Sequence, residues 1–347
     1  MTCQGTSYSD DVIGHHRALS ALHKAFEKGM PSHAYLITGP AHVGRMKLAM
    51  VIAQLLNCHG DGPTGTCEQC TRIRRGVHAD VTIVPVDSQG SLHEDGRPRT
   101  MITIEQVRAV SREAALRPFE GRCKVFIFEE ADRLTEEASN ALLKTLEEPP
   151  DQVSIVLLAS GEQAVLPTIV SRCRLVCLRP VSWPLLSEEL VRRLGLPPDR
   201  ALQIARTSGG RPGLALRMAT DEAFGARLEE TLDRIEAAVA ADLEGRFEYA
   251  ASLARLFAKD REAARNEMVH WRHWWRDVLL ASNGLDEFAG HVSRARSIRS
   301  AAAAAGTGGA IAGLKASIQA ADRLDMNVGA SLAIEQMMLS IPQVAPS

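Results

Sequence analysis

H-A-Y-L-I-T-G-P-A-H-V-G-R-M, His33 to Met46, decides the fold. An apolar run ends at Gly39 and a second glycine follows at Gly44. R-M-K-L-A-M-V-I-A-Q-L-L-N, residues 45–57, then predicts a helix. Strand, glycine-bounded loop and helix in that order are the outline of a phosphate-binding loop, G-x-x-x-x-G-K-[ST]. Such a loop cradles an anion with backbone N–H groups at a helix N-terminus, while a lysine reaches the outer phosphates and a hydroxyl holds magnesium. Two of those groups are replaced here. Arg45 keeps the positive charge, but its planar head does not stand in for a compact ammonium. Met46 offers a thioether where magnesium requires oxygen. On its own so degraded a match reads as a glycine-rich turn without a ligand. In its strand–helix context it reads as a relict nucleotide site containing Gly39, Gly44 and Arg45, with ATP hydrolysis not expected.

The other half of a nucleotide site is an apolar strand that ends in acids, and F-I-F-E-E-A-D (126–132) has that form. Glu129 and Glu130 occupy the positions where an Asp-Glu pair would hold magnesium and activate water. The added methylene of Glu129 displaces its carboxylate, and errors of about 1 Å at such a centre cost about 10²-fold. The alternative is two solvated carboxylates at a strand end. Around these landmarks the chain alternates. A helix is expected over 16–29, strands over 33–39, 81–84, 124–128 and 154–160, and Asn140 to Glu148 is expected to belong to a helix that stops at Pro149-Pro150. That alternation predicts a parallel α/β sheet.

After R-P-V-S-W-P (179–184) the pattern becomes helical, with short helices from about 186 to 219 and no convincing strand beyond. A-A-A-A-A-G-T-G-G-A (301–310) is expected to be a loop between helices, because its glycines are poor helix formers. Trp271, Trp274 and Trp275 fall at i, i+3, i+4 and make one aromatic face of a helix. Helix packing is its first reading and a base-stacking platform the second. His15, His16 and His33 fall near the expected pocket and read as structural. Cys123, Cys173 and Cys177 read as small buried hydrophobes.

Composition bounds the function. The chain has 347 residues, 45% hydrophobic and 24% charged, enough for two or three domains. A formal charge of −2 gives no global electrostatic case for a free-standing nucleic-acid binder. No run of 18 apolar residues is present, so no membrane helix is expected. The N-terminal residues lack a basic flank and an apolar core, so no signal peptide is expected. Seven cysteines then point to thiols in a reducing cytoplasm.

The run G-R-C-K-V-F-I-F-E-E-A-D-R-L-T-E-E-A-S-N-A-L-L-K-T-L-E-E-P-P (121–150), and above all N-A-L-L-K-T-L-E-E-P-P (140–150), resembles the clamp-loader proteins of bacterial DNA polymerase III. L-P-T-I-V-S-R-C (166–173), V-I-G-H (12–15), S-H-A-Y-L-I-T-G-P (32–40), G-V-H-A-D (76–80), W-W-R-D-V-L-L (274–280) and N-V-G-A-S-L-A-I-E (327–335) fit the same family. The resemblance implies an AAA+ (RecA-like) α/β domain over 1–179 with a cysteine-bearing insertion near 58–70. It also implies a helical lid over 180–220 and an all-α oligomerisation collar over 221–347. Members with an intact loop, the gamma/tau type, hydrolyse ATP. The substitutions at Arg45, Met46 and Glu129 resemble instead the non-hydrolysing delta-prime type, with a divergent gamma/tau-type ATPase as the alternative.

For that type the resemblance implies a ring that contains the gamma/tau motor subunit and the delta subunit and that acts on the sliding clamp and primer-template DNA. It implies that Arg172, in S-R-C, is an arginine finger lent in trans to a neighbour's ATP. A nucleotide-sensing arginine of the motor type falls at Pro212 here, with Arg211 beside it. The family's insertion carries four zinc-binding cysteines, and here Cys58, Cys67 and Cys70 are three of them, with Thr64 in the remaining place. His59 and Asp61 are the candidate fourth ligands for a structural zinc, and three plain thiols are the alternative.

Overall fold

The structure, a computed structural model, describes residues 12–59, 67–86, 101–326 and 329–344. Among these the first part of the chain alternates helix and strand. In order come α1 (His16–Glu27), β1 (Ala34–Thr38), α2 (Arg45–Asn57), α3 (Glu68–Arg74), β2 (Val81–Val84), α4 (Ile104–Ala114) and β3 (Lys124–Phe128). They are followed by α5 (Glu136–Glu147), β4 (Val153–Ala159), α6 (Pro167–Val170) and β5 (Arg174–Cys177). The rest is helical: α7 (Trp183–Leu194), α8 (Pro198–Thr207), α9 (Pro212–Thr220), α10 (Glu222–Ala240), α11 (Leu243–Lys259), α12 (Arg261–Ala281), α13 (Ala295–Asp325) and α14 (Ala330–Ser340). No helix among the described residues is long and apolar enough to cross a membrane.

The strands form one parallel five-stranded sheet in the order β2-β3-β4-β1-β5, the α/β class of fold that the alternation predicts. Parallel strands need helical crossovers, so both faces are covered and the central strands are mostly apolar, with Thr38, Lys124 and Ser154 the polar residues among them. Every residue of β1, β3 and β4 is buried. Alternate side chains go to opposite faces. Tyr35, Ile37, Val125, Ile127, Val156 and Leu158 pack with Leu48 and Ile52 of α2. Leu36, Phe126, Phe128, Ile155 and Leu157 pack with Val107, Val110, Leu142 and Leu146 on the other face. Strand β5 has no counterpart in the sequence reading. It is a four-residue edge strand with alternating burial, too short to stand out.

Single side chains tie the ends of β2 and β3. Asp80 of G-V-H-A-D accepts backbone N–H groups from Phe119, Glu120 and Gly121 at 2.7, 2.8 and 2.7 Å. Burial alone would raise its carboxyl pKa, but those three donors outweigh it and hold the group below the ordinary range. Asn57 Oδ1 accepts from Arg122 and Cys123 just beyond.

The chain divides into two compact units, Met1–Glu189 with Gly210–Leu214, and Leu190–Gly209 with Ala215–Ser347. The second unit is built on α12 and α13. Trp271, Trp274 and Trp275 are all buried in its core, so the aromatic face packs and offers no base-stacking surface. A polar network runs through it. Trp271 Nε1 donates to Tyr249 Oη at 2.6 Å, and Tyr249 donates to Glu267 at 2.6 Å. Arg234 completes the carboxylate at 2.7 Å. The buried Arg246 donates to the carbonyls of Val239, Met338, Ile341 and Pro342, so one guanidinium serves the open ends of two helices.

One sequence expectation is narrowed and one corrected. Two helices do meet within 301–310, but at a kink of a single residue, Gly306 (φ 61°, ψ −178°), rather than through a loop, so α13 is two helical segments joined there. The alanines carry the helical segments, and of the glycines within 301–310 only Gly309 lies close to a neighbour, Pro342. Cys123 is buried as expected and Cys173 half-buried, but Cys177 is exposed on the edge strand. Burial raises the pKa of the Cys123 and Cys173 thiols to about 12, with Asp80 adding to the effect at Cys123.

A Cβ at Gly313 would lie 2.3 Å from Cδ2 of the fully buried Trp275. Gly313→Ala would gain about 1 kcal/mol in helix propensity but overpack a ring with no room to move, which costs about 1–3 kcal/mol. The expected result is a net loss of stability of up to about 2 kcal/mol, read by urea unfolding followed through tryptophan fluorescence. A more stable variant would show that the ring and helix relax freely.

Candidate functional site

The loop leaves β1 by a conformation that only glycine fits. Gly39 has φ 148°, and a Cβ there would sit 2.5 Å from the Leu178 carbonyl oxygen. Its N–H donates to Ala159 O at 3.2 Å, which fastens the loop to β4. His42 has φ 64°, Val43 N–H closes on Pro40 O, and Gly44 (φ 116°) precedes α2. His15 Nε2 lies 3.0 Å from Val43 O and braces the loop from outside. Burial lowers the pKa of this imidazole, partly offset by that hydrogen bond.

Helix α2 therefore starts with no side-chain cap and no acid in its first turn. It carries Arg45 and Lys47 there instead. Cations at a helix N-terminus oppose its dipole by about 0.3–1 kcal/mol each. The balancing charges come from the segment after β3. A cavity of about 360 Å³ opens between Gly44, Arg45, Met46 and Lys47 on one side and Glu129 and Glu130 on the other, with Leu158 of β4 also lining it. The size is that of a small-molecule site.

The structure thus brings Gly44, Arg45, Glu129 and Glu130 together, with Gly39 at the root of the loop. Burial lowers the pKa of the Arg45 guanidinium, while Asp132 and Glu130 oppose the shift. Burial and the neighbouring Glu130 charge both raise the pKa of the Glu129 carboxyl. Glu130 is ion-paired with Arg133. Asp132 accepts from Ser160 Oγ at 2.9 Å, and its other oxygen is buried without a partner. Asp132 and Lys47 were not singled out in the sequence. The signal for both was their place in the two motifs already read, F-I-F-E-E-A-D and the first turn after Gly44. Pro212 opens α9 and Gly213 donates its N–H to His42 O at 2.9 Å, so this segment closes over the loop through backbone.

Arg172 lies elsewhere. It follows α6 and precedes β5, whose Arg174 is level with Tyr35 of β1, whereas Thr38, where the loop begins, is level with Cys177. Three residues of strand, about 10 Å, separate the two levels. Arg172 is thus at the opposite edge of the sheet from the cavity of its own chain. There Nη2 pairs with Glu147 Oε1 at 2.7 Å and Nη1 donates to Thr168 O at 2.8 Å.

The three cysteines meet at the end of α2 and the start of α3. Their Sγ atoms all lie within 4.8 Å of one another, and Cys58 and Cys67 are 3.9 Å apart. Cys67 caps α3 and accepts from Cys70 N–H. Thiolates at about 2.3 Å from a tetrahedral zinc are about 3.8 Å apart, so the trio fits three corners of such a site. His59 is exposed, and Asp61 and Thr64 lie outside the described residues.

A family model described as DNA polymerase III, delta subunit, matches residues 14–182. The chain is 32% identical over 222 residues to DNA polymerase III subunit tau of Escherichia coli, which covers 62% of this chain and 32% of that one. It is 31% identical over 179 residues to subunit delta' of Bacillus subtilis, covering 51% of each. To subunit gamma/tau of Mycobacterium tuberculosis it is 30% identical over 213 residues, 58% of this chain and 35% of that one. The matched part spans about a third to a half of these relatives' length. Among solved structures, the Thermotoga maritima RuvB Holliday junction branch migration motor is 17% identical with a TM-score of 0.43, covering 71% of this chain and 76% of that one. A DNA polymerase III gamma subunit-related protein from the same organism is 17% identical with a TM-score of 0.38, covering 92% and 97%.

The raised Glu129 pKa has a stability consequence. A carboxyl whose pKa is higher in the folded chain than in the unfolded chain opposes folding as pH rises through the unfolded and then the folded value. Glu129→Gln removes that penalty. The variant is expected to be more stable than the parent at pH 7, with the gap closing below about pH 4. Thermal unfolding at several pH values reads this, and a gap that does not change with pH would refute it.

Proposed function

Through residues 14–182 the chain belongs to the DNA polymerase III clamp-loader family, and we propose that within it the chain is a delta-prime-type subunit. It holds its place in the ring and lends Arg172 to the ATP of a neighbouring gamma/tau-type motor subunit, without hydrolysing ATP itself. The partners of this reading are that motor subunit and a delta subunit, with the sliding clamp and primer-template DNA engaged through the assembly. The division into an AAA+ domain (1–179), a lid (180–220) and a collar (221–347) is part of the same proposal.

The position of Arg172 supports it most directly. An arginine about three residues of strand from the level of its own loop serves a phosphate only if another molecule brings it. A guanidinium donated in trans to a γ-phosphate stabilises transition-state charge and is worth roughly 10³–10⁵ in rate. The cavity supports the absence of turnover. Met46 supplies no oxygen to magnesium. Glu130 is engaged by Arg133, and burial with the neighbouring Glu130 charge raises the pKa of the Glu129 carboxyl. Arg45 spreads its charge between Glu130 and Asp132.

The second reading, a divergent gamma/tau-type ATPase, draws on the tau and gamma/tau relatives at 30–32% identity. Reconstituted loader with clamp and primed DNA separates the two. Arg172→Ala is expected to lower ATP turnover more than tenfold while the ring still assembles. The isolated chain is expected to turn over no ATP. Turnover by the isolated chain that Glu130→Gln abolishes would establish the ATPase reading.

Cys58, Cys67 and Cys70 are proposed to hold a structural zinc, which would fasten α3 to the end of α2 and carry no chemistry of its own. Metal analysis of the purified chain is expected to give one zinc per chain, lost in Cys70→Ser. A metal-free parent that unfolds no earlier in the presence of chelator would refute the site.

A further inference from the structure

The two motifs that carry the family likeness meet in space. Glu147, from the E-E-P-P end of the first, closes α5, and Arg172, from the S-R-C of the second, follows α6. Arg172 Nη2 lies 2.7 Å from Glu147 Oε1. Its Nη1 donates to Thr168 O at 2.8 Å and to Ser171 Oγ at 3.2 Å. A guanidinium carries five N–H donors. These contacts engage three and leave two, the number that a forked contact to a phosphate needs.

We propose that Glu147 is a positioning residue, holding the Arg172 guanidinium ready for the phosphate of a neighbouring subunit. This rests on the reading of Arg172 as a finger in trans. A long, unrestrained arginine gives up most of its rotamer freedom when it docks. One already fixed by a carbonyl and a carboxylate has given it up in the folded chain, so less is lost at the encounter. The ion pair is also of the right strength. The Arg172 side chain is 35% exposed and that of Glu147 49% exposed. A pair so accessible to water is weak, so it orients the guanidinium without withholding it from a multiply charged phosphate. The placement further gives the E-E-P-P end a purpose. Helix α5 ends where its last carboxylate reaches across to the segment after α6.

The test uses the reconstituted loader with clamp and primed DNA. Glu147→Ala is expected to lower kcat about tenfold, because a misplaced donor acts in the transition state, while KM for ATP stays within about twofold. Glu147→Gln, which keeps an acceptor at the same reach, is expected to recover most of the loss. Glu147→Ala at parental kcat, with Arg172→Ala still impaired, would overturn the proposal and leave the finger standing. Loss of ring assembly in Glu147→Ala, or no recovery in Glu147→Gln, would also overturn it, by showing a structural role. Unchanged turnover in Arg172→Ala would remove the underlying reading and this inference with it.

Discussion

All five strands of the sheet point the same way, and the arrangement of the first unit depends on that single polarity. Because β1 pairs with β4 on one side and β5 on the other, the segments leaving the strands gather at one edge and those entering them at the other. The glycine loop after β1 and the acids after β3 are both exits, so they face each other across β4 and enclose the cavity. Arg172 is an entrance to β5 and cannot share that edge. A parallel sheet therefore separates a chain's own phosphate loop from an arginine placed before its edge strand.

Within the cavity, charge has been rearranged rather than lost. A helix that begins with Arg45 and Lys47 and lacks an acid in its first turn is unfavourable in isolation. It becomes acceptable beside Glu130 and Asp132, and these acids are in turn held near neutral balance by Arg45 and Arg133. In a magnesium-dependent site a divalent cation would balance such carboxylates. Here Arg45 and Arg133 lie beside the same carboxylates and supply part of that positive charge.

The second unit solves a different problem. Its helices bury three tryptophans and an arginine with no carboxylate beside it among the hydrogen bonds that hold it. Burial lowers the pKa of Arg246. The four carbonyls compensate because helix C-termini concentrate acceptors that would otherwise lack donors. Desolvating one cation is thereby offset by satisfying two helix ends, and the chain termini of α10 and α14 are fixed to α11 without a salt bridge.

What could be read from the sequence was whatever is encoded over a few neighbouring residues. The apolar runs that became β1, β3 and β4, the helix stop at Pro149-Pro150 and the loop around Gly39 are of this kind, since burial on both faces makes a strand mostly apolar. Strand β5 escaped because an edge strand of four residues alternates too briefly. In 301–310 the glycines did mark a break, but only Gly306 leaves helical geometry and the alanines around it stay helical, so the interruption is one residue rather than a loop. At the candidate site the residues were legible and their partners were not. Asp80 is explained by Phe119, Glu120 and Gly121, and Arg172 by Glu147 and Thr168. A motif marks where a side chain is constrained, but the constraint comes from a crossing of two segments, and spacing along one segment carries no record of the other.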